Sequence, residues 1–278
     1  MPSFEKKVLS AQKHTRSLLC VGLDTDRKKI PPHLQSKKNG IIEFNKRIIE
    51  ATKDVACAYK INFAFYEGLG KDGWTIIEKT KAMIPSTVLT IADAKRGDIG
   101  NSSSYYANAI LNDFGFDSIT VAPYMGDDSV RPFLQWEEKG VFLLALTSNE
   151  GAYDFQYKQI GTKRLFEEVV TTAQEWTQLR NLGFVVGATK SVDIQTIRKL
   201  APAVPFLVPG IGAQGGNLQD VIKYGCTNDG FGVCINASRS ILYASSDKHF
   251  AEAARKEAIK LRDEINSFRS SFYKHSFT

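Results

Sequence analysis

A single (β/α)8 TIM barrel is the fold class the sequence predicts, and three observations predict it. The chain has 278 residues, close to the roughly 250 that one α/β barrel typically takes. Eight short runs rich in Val, Ile, Leu and Phe recur along it, and segments with helical spacing and charged faces lie between them. Near-continuous apolarity over five to nine positions is expected of parallel strands covered on both faces. Strand then helix, repeated eight times, favours closure; a doubly wound open sheet is the alternative, because periodicity does not report closure.

In chain order the runs are SLLCVGLD (17–24), VACAYKIN (55–62), TVLTIADAK (87–95), SITVAPY (118–124), VFLLALTSN (141–149), GFVVGAT (183–189), PFLVPGIG (205–212) and FGVCINAS (231–238). Helical spacing is plainest in IIEFNKRIIEAT after the first run, TKRLFEEVVTTAQEWTQLRNL after the fifth and AEAARKEAIKLRDEINSF after the eighth. No low-complexity linker divides the chain, so residues 1–278 are read as one catalytic domain. An N-terminal extension occupies about 1–16 and a tail, frayed at YKHSFT, about 269–278.

The composition, 43% hydrophobic and 24% charged, is that of a chain able to bury a large core. The net charge of +6 suits an anionic ligand, but Lys and Arg are scattered over many helices instead of massed in a tract, so no nucleic-acid partner is expected. The N-terminus MPSFEKKVLSAQKHTR is polar and no apolar stretch approaches the roughly 20 residues of a membrane span, so a cytoplasmic protein with no membrane partner is expected. Cys20, Cys57, Cys226 and Cys234 show no C-x-x-C spacing and read as core residues.

In a barrel the chemistry gathers at the C-terminal ends of the strands. Asp24, Lys60, Asp93 with Lys95, Ser148 with Asn149, and Gln214 fall at or just past such ends, and Arg239 follows the eighth. Asp93, Lys95 and Asp98 form D-x-K-x-x-D, a pattern chance supplies in roughly one chain of this length in twenty. Its position at a strand end, with Lys60 on the neighbouring strand, favours a functional charge network over a structural salt bridge. In an extended segment Asp93 and Lys95 point to the same side, toward the barrel mouth. The glycine-rich PGIGAQGGN lets backbone N–H groups approach an anion and Arg239 adds a fork of donors, a candidate phosphate grip.

Taken in order, VGLD, AYKIN, DAKRGDIG, VAPYMG, TSN, VPGIGAQGG and ASRSI resemble the orotidine 5′-phosphate decarboxylase family, specifically its longer-chain branch, over about residues 17–245. The resemblance implies conversion of orotidine 5′-phosphate to uridine 5′-phosphate, the last step of UMP synthesis, without metal or organic cofactor. It implies that Lys95 is the general acid protonating C6 and that Asp93 faces the scissile carboxylate. Lys60 would hold Asp93 ionised, and Asp98 would reach across a homodimer into the partner's site. It further implies substrate contacts from Asp24 (to ribose), Ile99, Ser102, Pro123, Ser148, Asn149, Gln214, Gly215 and Arg239. For Ser148 and Ser102 a helix cap is the alternative. The chain departs from the family where Ile61 replaces a frequent proline, Val208 precedes Pro209, and Ser102 stands for threonine. Segment 150–164 is either a lid or an ordinary connection.

Three rivals remain on the sequence alone. A Schiff-base aldolase needs a neutral lysine, whereas carboxylates around Lys95 favour the ammonium. A metal-dependent epimerase or synthase needs ligands at the strand ends, which His14, His33, His249 and His275 all miss. A nucleotide-binding barrel without turnover is the third.

Overall fold

The computed structural model describes residues 2–188, 191–211 and 217–273. Eight parallel strands close on themselves: β1 (Leu19–Gly22), β2 (Ala58–Asn62), β3 (Leu89–Arg96), β4 (Ser118–Val121), β5 (Gly140–Leu146), β6 (Leu182–Val186), β7 (Phe206–Val208) and β8 (Val233–Ala237), with β8 returning to β1. The closed barrel, not the open sheet, is therefore the architecture. Each strand is shorter than its apolar run, so that Asp24, Ser148, Asn149 and Arg239 stand just past the ladder, where the chain turns outward.

Alternate residues face inward. Cys20, Ala58, Leu89, Ile91, Phe142, Val185, Leu207 and Cys234 fill the interior, while the outward set packs with the helices in a second, larger core. All four cysteines are free and buried, and burial pushes the thiols of Cys20 and Cys57 well up and that of Cys226 to about 12.

The supposed N-terminal extension is a helix, Phe4–Thr15, that stoppers the N-terminal end of the barrel. Phe4 packs edge-on against Phe142 with ring centroids 5.6 Å apart, and Gln12 donates to Val233 O at 2.9 Å while accepting from Gly232 N–H at 3.1 Å. The expected tail also needs correction as far as Tyr273: the last helix runs Phe250–Phe272, Arg269 is fully buried over the Phe231 ring, and Tyr273 OH donates to Lys223 O at 3.0 Å.

The helix read over 162–182 is shorter than its pattern. It spans Leu165–Ala173, because Lys163–Arg164 pairs with Gln159–Ile160 in a small antiparallel ribbon and Leu182 opens β6. Segment 150–164 is anchored at its middle and at its C-terminal end. Gln156 exchanges two 2.8 Å hydrogen bonds with Thr147, Tyr157 OH donates to Asp193 at 2.6 Å, and Arg164 reaches the same carboxylate at 2.7 Å. Among the described residues no helix is long and apolar enough to cross a membrane.

Candidate active site

A cavity of about 360 Å³ opens at the C-terminal ends of the strands. The register of the barrel assembles its floor. Gly22 pairs with Lys60 and Asn62 with Asp93, so neighbouring strands present their polar inward residues at one level. Gly22 is required there: a Cβ would lie 2.0 Å from Ser238 Oγ and 2.9 Å from Asn236 Oδ1, two groups on the β8 side of the cavity.

Four side chains alternate in charge across this floor. Lys60 Nζ lies 3.2 Å from Asp24 Oδ1 and 2.9 Å from Asp93 Oδ2, and Lys95 Nζ lies 2.6 Å from Asp93 Oδ1. Burial works against the charge on Lys60, but Asp24 and Asp93 outweigh it and hold the ammonium above its ordinary range. Burial likewise opposes ionisation of Asp93, and is outweighed by Lys60 and Lys95, which bring its carboxyl down to about 2. Both carboxylates are thus matched by the chain's own cations. Apolar Leu144, Val185 and Leu207 wall the cavity and weaken local screening.

Lys95 arrives by a different route from simple alternation. β3 bulges against β4: Ala92 pairs with Ile119 and Arg96 with Val121, so a four-residue step faces a two-residue one. Lys95 sits in the bulge at φ 46°, a left-handed conformation, and not in an extended strand. Its ammonium still meets Asp93, because the bulge re-aims the side chain over the cavity. The same twist turns Arg96 away, to an ion pair with Glu67 and the faces of Phe63 and Tyr106.

Of the other expected site residues, Asp24, Ser148, Asn149 and Arg239 line the cavity. Asp98, Ile99, Ser102 and Pro123 do not line it. Asp98 accepts a hydrogen bond from Ile99 N–H at 2.8 Å, Ile99 and Ser102 are exposed, and Pro123 O closes a turn with Gly126 N–H at 2.9 Å. The cap alternatives do not hold, since Ile99 occupies the cap position of helix Gly100–Ala107 and Gly151 that of Ala152–Phe155. Gln214 and Gly215 lie outside the described residues. No group of three or more His, Cys, Asp or Glu side chains is arranged to hold a metal among the described residues.

Sequence reasoning missed Asn62, Thr120, Asn236 and Ser238, all on the cavity wall. A parity count would have found the first: Asn62 is two residues beyond Lys60 and shares its face.

A closed parallel barrel with a charged cavity at the strands' C-terminal ends defines an enzyme of the (β/α)8 class. Within that class the chain belongs to the orotidine 5′-phosphate decarboxylase / HUMPS family, whose family model matches residues 17–254, and it is a carboxy-lyase. It is 52% identical over 255 residues to orotidine 5′-phosphate decarboxylase of Christiangramia forsetii, covering 91% of this chain and 93% of that one. Against the enzyme of the same name from Dehalococcoides mccartyi it is 48% identical over 273 residues, 97% of this chain and 99% of the other. The structure of Leishmania donovani OMP decarboxylase superposes with a TM-score of 0.85 at 38% identity, over 96% of this chain and 99% of that chain. That of Leishmania donovani UMP synthase gives 0.87 at 38% identity over 97% of this chain, which spans 57% of the synthase.

Proposed function

We propose that this chain is a cytoplasmic enzyme that converts orotidine 5′-phosphate to uridine 5′-phosphate and carbon dioxide. The reaction breaks the bond between C6 of the pyrimidine and its carboxylate, leaves the electron pair on C6, and ends with a proton delivered there. The observation that carries the reading is the row Asp24, Lys60, Asp93, Lys95, in which the outermost ammonium has a 52% exposed side chain while Lys60 is sealed beneath at 5%.

In this arrangement the Lys95 Nζ–H faces the cavity, stabilises charge developing at C6 and gives it the proton. Asp93 holds the Lys95 Nζ at 2.6 Å and disfavours the substrate carboxylate more than the transition state in which that charge is leaving. Lys60 fixes Asp93, and Asp24 is placed for a ribose hydroxyl. Two unit charges 4 Å apart interact by about 4 kcal/mol at an effective dielectric of 20, whereas enzymes lower barriers by about 8–23 kcal/mol. A single contact is not enough, so binding energy from the phosphate, with Arg239 and the glycine-rich stretch PGIGAQGGN as its candidate grip, must help organise the site.

Asp98 works in the partner's site of a homodimer. It does not line its own cavity, and Ile99, Tyr105, Tyr106, Tyr124 and Met125 are exposed large side chains of the kind an interface covers.

The test is the loss of orotidine 5′-phosphate absorbance with purified enzyme, with and without chelator, and with Lys95→Ala. Chelator-insensitive turnover that falls at least about a thousandfold in a folded Lys95→Ala protein is expected. Binding without turnover by the unmodified chain, or an adduct reducible by borohydride, would overturn the proposal.

A further inference from the structure

The geometry points to Thr120 as a positioning residue for the reaction, its hydroxyl holding Lys95 in the left-handed bulge while orienting the Asp93 carboxylate. The inference rests on the decarboxylase reading and concerns a residue for which the sequence suggested no role.

At the bulge Lys95 leaves the regular ladder, and its backbone N–H donates to Thr120 Oγ1 at 2.9 Å. A non-glycine residue in this conformation is strained and persists only where its surroundings hold it. Because Thr120 Oγ1 accepts that bond, its one hydrogen is directed to its other neighbour, Asp93 Oδ1, 3.1 Å away. One oxygen atom therefore links the main chain of the proton donor to the side chain of the carboxylate beside it. Asp93 Oδ1 receives both Lys95 Nζ and Thr120 Oγ1, leaving Oδ2 for Lys60.

Thr120 is itself well placed to impose geometry. It is 1% exposed and is paired with Phe142 of β5 in the barrel ladder, so its Cα is fixed by the sheet. Removing the hydroxyl while keeping the branched shape strips the Lys95 N–H of its acceptor and Asp93 of one donor. The packing volume hardly changes.

The experiment compares Thr120→Val and Thr120→Ser with the unmodified enzyme, measuring kcat and KM for orotidine 5′-phosphate and Kd for uridine 5′-phosphate. Loss of a hydrogen bond to a charged group predicts a kcat lower by about ten- to a hundredfold in Thr120→Val. KM and Kd stay within about threefold, because the phosphate and ribose contacts lie elsewhere, and Thr120→Ser restores kcat to within about threefold. Should Thr120→Val not fold, Thr120→Ala against Thr120→Ser isolates the same hydroxyl. An unchanged kcat without the hydroxyl, a loss spread equally over kcat and product affinity, or no rescue by serine overturns the inference. Failure of the unmodified chain to turn over orotidine 5′-phosphate would instead remove the decarboxylase reading, so the two failures are distinct.

Discussion

Replacing Lys60 with methionine should turn the acid dependence of stability around. At contacts of 2.9 and 3.2 Å, and an effective dielectric of about 20, Lys60 gains about 5 kcal/mol from each of Asp93 and Asp24. Desolvation of the buried ammonium offsets several kcal/mol of this, so the expected net loss at about pH 7 is roughly 3–5 kcal/mol, as when one member of a buried pair is removed. In the unmodified protein the Asp93 carboxyl lies near 2, below its ordinary 3.8. Between those values the unfolded chain binds more protons, and about 2 kcal/mol present above pH 4 is lost as pH falls toward 2. Without Lys60, burial, the largest influence on Asp93, outweighs the half-exposed Lys95, and the folded Asp93 carboxyl takes up a proton more readily than the unfolded one. Stability of the variant should then fall as pH rises from about 4.5 to 7. Urea unfolding of both proteins across that interval measures the gap. A gap of equal size at both ends would refute the view that Lys60 neutralises the buried Asp93 carboxylate.

Three further outcomes are expected. Mixing Lys95→Ala with Asp98→Ala subunits should recover about a quarter of the unmodified turnover, since half of a statistical mixture is heterodimer with one intact site of two; no recovery in exchanging dimers would contradict a shared site. Arg239→Ala should weaken uridine 5′-phosphate by about ten- to a hundredfold in calorimetric titration while leaving uridine unaffected, and equal loss for both ligands would place Arg239 away from the phosphate. Phe4→Ala should lower unfolding free energy by about 3–5 kcal/mol through the cavity left against Phe142, with little change in KM because the stopper lies at the end of the barrel opposite the site.

The barrel was legible because its strands carry their burial in their own residues: SITV in β4 and LGFVV in β6 can only be interior. The small ribbon at Gln159–Ile160 and Lys163–Arg164 was not, since its residues are exposed or half-buried and it is anchored from afar by Asp193. At the site, Asp24, Lys60, Asp93 and Lys95 were visible as charges interrupting apolar runs. The alternation argument for Lys95 reached the correct neighbour by the wrong geometry, because nothing in DAKRGD announces a bulge that is specified by a hydroxyl on the adjacent strand. Thr120 and Asn236 escaped notice for a related reason: a neutral polar residue inside a strand resembles ordinary β composition until its partners are known.

The sealed cysteines make the native chain nearly blind to thiol-reactive dyes, because such reagents attack the thiolate and burial suppresses it at Cys20, Cys57 and Cys226. A single cysteine introduced at a solvent-facing position would therefore be the preferred point of maleimide attachment. Fluorescence or spin labels can then be installed with all four native sulfurs left in place, and the interior packing they provide is undisturbed.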